Sequence, residues 1–461
     1  MKSISLNRLA MSILFGAWLM CATLPVSGQG PQPWMYYETA EEAGFSSAKI
    51  AEAKATYEQM RSAAFMVIYK GKVLVAWDDV SRRYMTHSMR KSLMSAMYGI
   101  YEGKGIIDLN KSLATLGIDD KQGLTATEKQ ARVLDLITAR SGIYHPASYE
   151  PRSMKANRPK RGTSKPGTQF NYNNWDFNTL LSILEQEAQI KFFDEFYNQI
   201  ANPLGMEDLR DQDMRYRFEP DLSNHAAYLF KMSTRDLARF GQLYLDKGRW
   251  NGKQIVPKSW VAKSTAAFSD DLGPNFAKRG GYGYLWWVNR TTFGQPAYYA
   301  SGLGGHKLYV LPEADMVIVH RVNSYLNVQE RDTNIDQLVQ LVLDAKTGKP
   351  KRKPQLKPLK VKGQKLSSVP VSEQVLNSYV GKYSHPFFRE IEAYLYKGKL
   401  MVKGEILGTF SLFAQGDGRF IVEDLPELPL KFEKATNKNP KGSSVTLADE
   451  RGRPNLFVMY Y

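Results

Sequence analysis

The sequence predicts an α/β (α+β) domain followed by a small domain of antiparallel strands, and three observations lead to this prediction. Two apolar, β-rich segments at 65–69 and 72–77 are joined by a Lys-Gly pair, which is typical of a β-hairpin. An apolar run with helical character follows at 93–100. After a basic, proline-containing stretch, short alternating segments begin at about 371. A chain of 461 residues, 43% of them hydrophobic, is long enough for two such domains.

Residues 1–28 are predicted to be a cleaved signal peptide. Lys2 and Arg8 make the start basic, the apolar stretch at 9–19 is too short to remain as a membrane span, and small residues end the segment. We therefore expect a periplasmic or secreted protein without a stable membrane span. Cys21 is the only cysteine, so the mature chain is expected to have no disulfide. A lipoprotein is the alternative, but bulky residues rather than small ones precede Cys21.

Ser88 and Lys91 are the candidate nucleophile and base. An alcohol is a poor nucleophile at neutral pH unless a base lies within hydrogen-bond reach. Residues three apart share a face of a helix, so the Ser88 hydroxyl and the Lys91 amine can meet across one turn. The same spacing joins Ser46 and Lys49, but these residues lie in a polar, alanine-rich stretch that we interpret as a solvated surface helix. Ser88 instead lies at the start of an apolar helix. The alternative to a catalytic role is that Ser88 only caps this helix.

Tyr172 and Asn174 lie in a loop rich in Asn and aromatic residues, which leads into a helix predicted at 179–188. A Tyr beside a Lys can have its phenol pKa lowered and so carry a proton, while an Asn amide can orient the Lys and donate to a substrate carbonyl. Tyr325 and Asn327 repeat the pattern after a strand-like run, and we interpret them as an ordinary turn. Without other signals, a Tyr under a loop is a packing residue.

A third segment, from Ser301 to Gly305, contains glycines that fit a backbone approaching a bound carbonyl closely. The three segments, in this order, resemble the serine β-lactamase and penicillin-binding protein superfamily, in particular its class C-like, esterase and D-aminopeptidase branch. Further stretches that resemble it lie at 136–142, 166–168, 232–245 and 281–287, so the resemblance covers most of the chain.

The resemblance implies a fold and a set of roles. The fold is an antiparallel sheet flanked by helices, with an all-helical subdomain inserted between the Ser88 helix and the third segment. Ser88 would be the acylated nucleophile, Lys91 the base or its partner, and Tyr172 a proton relay. Asn174 would orient these groups, and the backbone N–H groups of Ser88 and Leu303 would form the oxyanion hole.

Ser301 and Gly302 are the predicted substrate-binding strand, and here the chain departs from the superfamily pattern. A Lys or His usually precedes the Ser or Thr and the Gly, whereas this chain has Ala300. Alanine cannot pair with the carboxylate of a β-lactam or of a peptide C-terminus. We therefore expect an esterase or amidase rather than a β-lactamase. Lys307, the sixth residue after Ser301, would lie about 20 Å away along an extended strand unless the glycines fold the chain back.

Other side chains are candidates for the pocket wall. His145 follows a Ser-Gly pair that resembles the superfamily, although most loop histidines are only solvated. His306 is interpreted as a strand-edge residue more readily than a catalytic one. Aromatic candidates, for which core packing is the alternative, are Trp175, Trp286, Trp287 and Tyr299.

Other chemistries are not expected. The six histidines form neither an H-E-x-x-H helix nor a paired Cys/His spacing, so no metal and no cofactor are expected. No G-x-S-x-G elbow of an α/β-hydrolase occurs. The net charge of +16 is concentrated, since 346–365 holds nine Lys and Arg and no acid, so it indicates a linker and not a nucleic-acid site. A second basic run at 152–165 is a candidate rim that would steer anionic substrates.

The predicted domain boundaries follow. A hydrolase domain spans 36–345, a basic linker 346–370, and a β-rich domain 371–461, similar to the lipocalin-like appendage of several superfamily members. Its predicted strands are 382–383, 391–395, 399–402, 410–413, 419–422, 430–432, 444–447 and 456–459. The predicted function is hydrolysis of a small ester, amide or peptide through an acyl-Ser88 intermediate. The alternatives are a D-amino-acid peptidase or carboxypeptidase, a β-lactamase, and a catalytically silent peptidoglycan-binding or scaffold protein.

Overall fold

The structure is a computed structural model, and it describes most of the chain after the predicted signal peptide. The described residues are 33–273, 276, 280–289, 291–326, 328–361, 363, 366–385, 389–405, 407–433 and 444–447. Of residues 384, 385, 389, 433 and 444–447 only the backbone is described. The predicted signal peptide, with Cys21, and the predicted last strand at 456–459 lie outside these ranges.

The strands are numbered along the chain. They are β1 (Met35–Tyr37), β2 (Ala64–Tyr69), β3 (Lys72–Asp78), β4 (Arg83–Met85), β5 (Met214–Arg217), β6 (Ala227–Ser233), β7 (Arg249–Trp250), β8 (Lys253–Gln254), β9 (Gly281–Tyr282), β10 (Trp287–Asn289), β11 (Ala297–Gly302), β12 (His306–Leu311), β13 (Met316–Arg321), β14 (Leu356–Pro358), β15 (Gly381–His385), β16 (Arg389–Tyr396), β17 (Lys399–Gly404), β18 (Gly408–Gly416), β19 (Arg419–Val422), β20 (Leu425–Glu433) and β21 (Ser444–Leu447).

The helices are numbered in the same way. They are α1 (Ser47–Gln59), α2 (Arg90–Gly103), α3 (Leu113–Leu116), α4 (Val133–Ile137), α5 (Arg152–Ala156), α6 (Asn174–Ala188), α7 (Phe192–Phe196), α8 (Asn202–Leu204), α9 (Thr234–Leu245), α10 (Lys258–Ser264), α11 (Asp332–Asp344) and α12 (Glu373–Asn377). Short 3-10 turns lie at Ala40–Ala43, His87–Met89, Glu128–Gln130, Asp211–Asp213 and Ser324–Leu326, and a π-helical turn lies at Tyr197–Ala201.

The main sheet has the strand order β14-β1-β3-β2-β13-β12-β11-β10-β9. Its pairs are antiparallel except β1 with β3, so the predicted sheet architecture is confirmed. All six residues of β2 are buried because helices cover both faces of the sheet. On one face α9 packs against β2, β12 and β13. On the other, Tyr57 of α1 packs against Phe65, and Asp336 of α11 accepts a hydrogen bond from Tyr309 at 2.6 Å.

The region between α2 and the third segment, for which an all-helical subdomain is predicted, contains helices α3 to α10 but is not all-helical. It also contributes strands: β5 and β6 join β4 in a three-stranded sheet in the order β4-β6-β5. This small sheet matters for the site because β4 leads directly into the residues around Ser88. Among the described residues, the helices are all too short or too polar to cross a lipid bilayer.

The C-terminal sheet is an up-and-down meander of β15 to β21, with each strand antiparallel to the next. Cα atoms of its first and last strands, β15 and β21, approach within 8 Å, which agrees with the predicted small barrel-like domain. Seven predicted strands coincide with β15 to β21. Met85, Ala227 and Leu229 of the preceding region belong to the same apolar cluster as this sheet, so the two parts share a core.

The first half of the segment predicted as a linker packs against the main sheet and is not a free tether. Strand β14 pairs with β1 at the edge of the main sheet, and Lys351 donates a 2.5 Å hydrogen bond to Glu42. The basic side chains described in this segment, those of residues 346, 349, 351, 352, 353, 357 and 360, are exposed, as a solvated face requires. The backbone of β14 is nevertheless paired in the sheet. The domain boundaries themselves stay a prediction.

Candidate active site

Ser88 lies in the 3-10 turn His87–Met89, and α2 begins at the residue after this turn. Ser88, the predicted nucleophile, is therefore at the N-terminal end of a helix, where the helix dipole stabilises negative charge. Ser88 Oγ and Lys91 Nζ lie 2.9 Å apart, within hydrogen-bond distance. The structure thus brings the predicted pair together across one helical turn.

Lys91 is buried, with only 2% of its surface exposed. Burial lowers the pKa of Lys91 well below its usual value, and the positive charge of Arg90 lowers it further. Its ammonium nitrogen lies 4.5 Å from the ring centroid of Tyr172 and 4.7 Å from that of Phe177. Burial and the positive charge of Arg90 favour the neutral amine, which is the form that can accept a proton from Ser88.

Tyr172 lines the cavity beside Ser88, and its ring stacks on Trp287 with centroids 5.2 Å apart. Helix α6 begins earlier than predicted, at Asn174, because the Asn173 side chain caps it by accepting a 2.9 Å hydrogen bond from the N–H of Asp176. Asn174 is buried, and its amide donates to the carbonyl oxygen of Tyr149. Within the described residues the Asn174 side chain makes no hydrogen bond to Lys91, and Asn173 rather than Asn174 lines the cavity.

Ser301, Gly302 and Leu303 line the same cavity as Ser88, at the end of β11. A Cβ on Gly302 would lie 2.6 Å from the carbonyl oxygen of Thr86 and 3.0 Å from His306 Cβ. Only glycine therefore lets β11 approach the nucleophile turn this closely. The predicted oxyanion hole consists of the N–H groups of Ser88 and Leu303. Ser88 lies in the turn before α2, and Leu303 directly follows β11.

The sequence places Lys307 near Ser301 only if the glycines between them fold the chain back, and the structure shows that they do. Gly304 and Gly305 adopt positive φ angles of 91° and 104° and reverse the chain, so that Lys307 lies opposite Ser301 in the β11–β12 pair. Lys307 Nζ donates to Ser301 Oγ at 3.1 Å and lies 2.9 Å from Asp332 Oδ2. The Gly-Gly pair between two apolar runs was the hairpin signal that could have found it.

Four candidate pocket residues do not line the cavity. His306 is fully buried in β12, where its Nδ1 accepts a 2.9 Å hydrogen bond from Arg321, and it does not line the cavity. Trp175 is a core residue whose indole N–H donates to Asp120 at 2.6 Å. Trp286 and Tyr299 are also buried and do not line the cavity. Residue type alone does not say which face of an element is exposed, and these four side chains point into packed layers.

His145 does line the cavity, as does Trp287. Its side chain is buried, and neither ring nitrogen has a hydrogen-bond partner among the described residues. Its Nε2 lies 3.6 Å from Glu128, whose carboxylate is held by Arg161. Burial lowers the pKa of His145, and the charge of Arg161 lowers it further, so the neutral ring is favoured.

The cavity has a volume of about 480 Å³. Residues of the predicted basic rim reach it, but the charge there is compensated because Arg158 pairs with Glu150. Acids at the wall are Glu150, Glu330 and Asp332. The described wall is therefore not a cationic funnel for anionic substrates. Among the described residues, no group of three His, Cys, Asp or Glu side chains is arranged to hold a metal ion.

Comparison with known proteins agrees with this fold. The family model described as Beta-lactamase matches residues 48–342. Among solved structures, a putative 6-aminohexanoate-dimer hydrolase from Bacillus anthracis is 23% identical with a TM-score of 0.50, covering 63% of this chain and 80% of its own. A family VIII carboxylesterase is 15% identical with a TM-score of 0.51, covering 68% and 99%. The protein SurE is 17% identical with a TM-score of 0.50, covering 87% and 96%. At these identities the structures establish a shared fold.

Proposed function

The chain belongs to the beta-lactamase family, whose members are serine hydrolases, and we propose that it cleaves an ester or amide bond through an acyl-Ser88 intermediate. One observation carries this proposal. Ser88 Oγ lies 2.9 Å from the nitrogen of Lys91, a buried lysine whose environment favours the neutral amine. A neutral amine at hydrogen-bond distance is the base that a serine hydroxyl needs to become a nucleophile.

The reaction follows from these atoms. Ser88 Oγ forms a bond to the carbonyl carbon while its proton passes to Lys91 Nζ. The negative charge that develops on the carbonyl oxygen is assigned to two N–H groups, that of Ser88 at the N-terminal end of α2 and that of Leu303 directly after β11. The bond to the leaving alcohol or amine then breaks, and the proton returns from Lys91 to the leaving group with Tyr172 as relay. Water releases the acyl group from Ser88 by the reverse sequence of proton transfers.

Ester or amide substrates are favoured over β-lactams by the charges at the cavity. The superfamily usually has a basic residue at the position of Ala300, and in this chain Lys307 is the cation nearest in sequence. Lys307 is 1% exposed, and Asp332 offsets its charge. A substrate carboxylate would meet the Ser301 hydroxyl and an acid-containing wall instead of an open ammonium group. A neutral carbonyl compound avoids this repulsion, in line with the carboxylesterase and the amide-type hydrolase among the similar structures.

The test is covalent labelling of the purified protein with a fluorophosphonate, followed by intact-mass spectrometry. One adduct is expected on the wild-type protein and none on Ser88→Ala, whereas the surface control Ser46→Ala keeps the adduct. In the same samples, hydrolysis of p-nitrophenyl butyrate is expected to exceed that of nitrocefin. Turnover of nitrocefin or of D-amino-acid p-nitroanilides above the ester would favour a β-lactamase or a D-amino-acid peptidase. No adduct and no turnover would favour the silent binding protein.

The proposal includes secretion, which rests on the basic start and short apolar stretch of residues 1–28. Expression of the full chain in a bacterial host, followed by fractionation and N-terminal sequencing, tests it. A mature protein beginning near residue 29 in the periplasmic fraction is expected. An uncleaved chain in the cytoplasmic fraction would contradict it.

A further inference from the structure

A cluster of buried charges joins the C-terminal sheet to the strand that precedes the nucleophile. Arg83 of β4 lies 2.8 Å from Asp424 and 3.2 Å from Asp213. Lys231 of β6 lies 3.3 Å from Asp424 and 3.1 Å from Asp213. Glu423 stands at the margin, 3.4 Å from Arg83. The two cations therefore share two central carboxylates, and one of these comes from the C-terminal sheet.

Charge balance makes the C-terminal acid necessary. Arg83 and Lys231 are buried, and Asp213 alone would neutralise only one of them. Asp424 supplies the second negative charge from the tight turn between β19 and β20, where its φ is 63°. Burial alone would raise the pKa of Asp424, but Lys231 and Arg83 lower it below its usual value, so the carboxylate is ionised at neutral pH. A buried charge without a partner is strongly unfavourable.

The cluster acts on the backbone that carries the nucleophile. Strand β4 runs from Arg83 to Met85, and the turn holding Ser88 begins two residues after it ends. Met85 is the register partner of Lys231 in the β4–β6 pair, and the N–H of Thr86 donates to Phe230 at 2.9 Å. The two cations of the cluster therefore sit on the two strands that hold the start of the nucleophile turn.

A second contact reaches the same turn through apolar groups. Phe410 of β18 lies under Lys231 at 3.9 Å and packs against Tyr325 with ring centroids 5.6 Å apart. Tyr149 belongs to the same apolar cluster, and its hydroxyl is 3.2 Å from His87 Nδ1. His87, the residue before Ser88, has a positive φ of 47°, a conformation that surrounding contacts must hold.

We propose that Asp424 is a positioning residue of the active site, and that the C-terminal sheet is part of the catalytic unit. By neutralising Arg83 and Lys231 it fixes β4 against β6, and so sets where Ser88 stands relative to Lys91 and Leu303. This inference rests on the proposed hydrolase function. Small displacements of a reacting atom lower rates strongly, so the effect is expected in kcat.

The experiment compares two interface variants in the full chain. Asp424→Asn keeps the shape and removes the charge. Glu427→Gln is the matched control, because Glu427 pairs with Arg82 at 2.7 Å across the same interface but is more exposed. Ester turnover and the rate of fluorophosphonate labelling are measured, with circular dichroism to establish the folded fraction. Asp424→Asn is expected to lower kcat and the labelling rate at least about tenfold with KM changed less than about threefold, while Glu427→Gln leaves both rates unchanged.

The outcomes separate this inference from the proposed function. If the wild-type protein neither turns over ester nor takes the label, the proposed function fails. If the wild type is active and folded Asp424→Asn keeps its kcat with only a lower Tm, Asp424 is merely structural and the inference is overturned. Should Asp424→Asn not fold, Glu423→Gln at the margin of the cluster decides: a smaller loss of kcat is expected, and an unchanged kcat with a lower Tm overturns the inference.

Discussion

Two Ser-x-x-Lys segments of this chain have the same spacing and opposite environments. At the start of α1, Ser46 is an N-cap that accepts a 3.3 Å hydrogen bond from the backbone N–H of Lys49, and the Lys49 amine turns away to the carbonyl of Asp344. At the start of α2, Ser88 Oγ meets the Lys91 amine itself. Lys49 is exposed, whereas Lys91 is buried and its burial favours the neutral amine. The same spacing therefore gives a solvated helix cap at Ser46 and a buried serine–lysine pair at Ser88. Burial in the core is what favours the neutral amine that the proposed mechanism needs.

Replacing the two lysines is the strongest way to test this contrast. Lys91→Met removes the base and is expected to lower kcat for ester hydrolysis by roughly 10³-fold, in the range of a lost general base. Lys49→Met, the matched control, is expected to change kcat by less than about twofold because an exposed lysine contributes little. Steady-state kinetics on both variants decide the matter. Equal effects of the two substitutions would mean that Lys91 is not the base.

Lys307 offers a second test, because it too is a buried lysine near the cavity but touches Ser301 rather than Ser88. Lys307→Met removes the ammonium group that lies 2.9 Å from Asp332 and donates to Ser301 Oγ at 3.1 Å. We expect kcat/KM to fall about 10- to 100-fold, or about 1.4 to 2.7 kcal/mol. Lys70→Met, which breaks an exposed pair with Asp315 in the same sheet, is the control. A kcat/KM equal to that of the control would exclude a role for Lys307 in substrate positioning.

The pH dependence of the reaction tests whether Lys91 behaves as a buried lysine with a lowered pKa. Burial holds the pKa of Lys91 below its usual value, so the amine is neutral and active over a wider range of pH than an exposed lysine would be. Activity is therefore expected to persist below the pH at which an ordinary lysine takes up its proton, and to fall about tenfold per pH unit once pH drops below this lowered pKa. Rates of fluorophosphonate labelling from pH 5 to 10 measure it. A rate that rises only above about pH 10 would indicate an ordinary, protonated lysine.

The smallest effect is expected at the surface segment. Ser46→Ala removes the N-cap of α1 and is expected to lower the free energy of unfolding by about 1 kcal/mol, without changing kcat. Urea unfolding and ester turnover on the same sample check both halves of this prediction. A loss of kcat would show that α1 is coupled to the site.

Local patterns were enough to predict much of the fold and part of the site. The hairpin of β2 and β3, the helix after Ser88 and the strands from β15 to β21 all follow from periodicity and turn residues. The position of Lys307 stayed open because it depends on a chain reversal that pairs two strands. His306 and Trp175 were misassigned for a related reason: which face of an element meets the cavity is decided by packing, and residue type does not reveal it. Asn173 caps helix α6 and lines the cavity, whereas Asn174 is the first residue of this helix and does not line the cavity.

The edge of the main sheet bears on how copies of the protein behave together. Strand β14 covers β1, so the outermost strand is a short segment in which Lys357 and Pro358 are exposed. An open sheet edge is a template for strand addition from a neighbouring molecule, and a short edge with a charge and a residue that lacks an N–H is a poor one. The basic stretch thereby protects the sheet against edge-to-edge aggregation, and its lysines keep like-charged copies apart at high concentration.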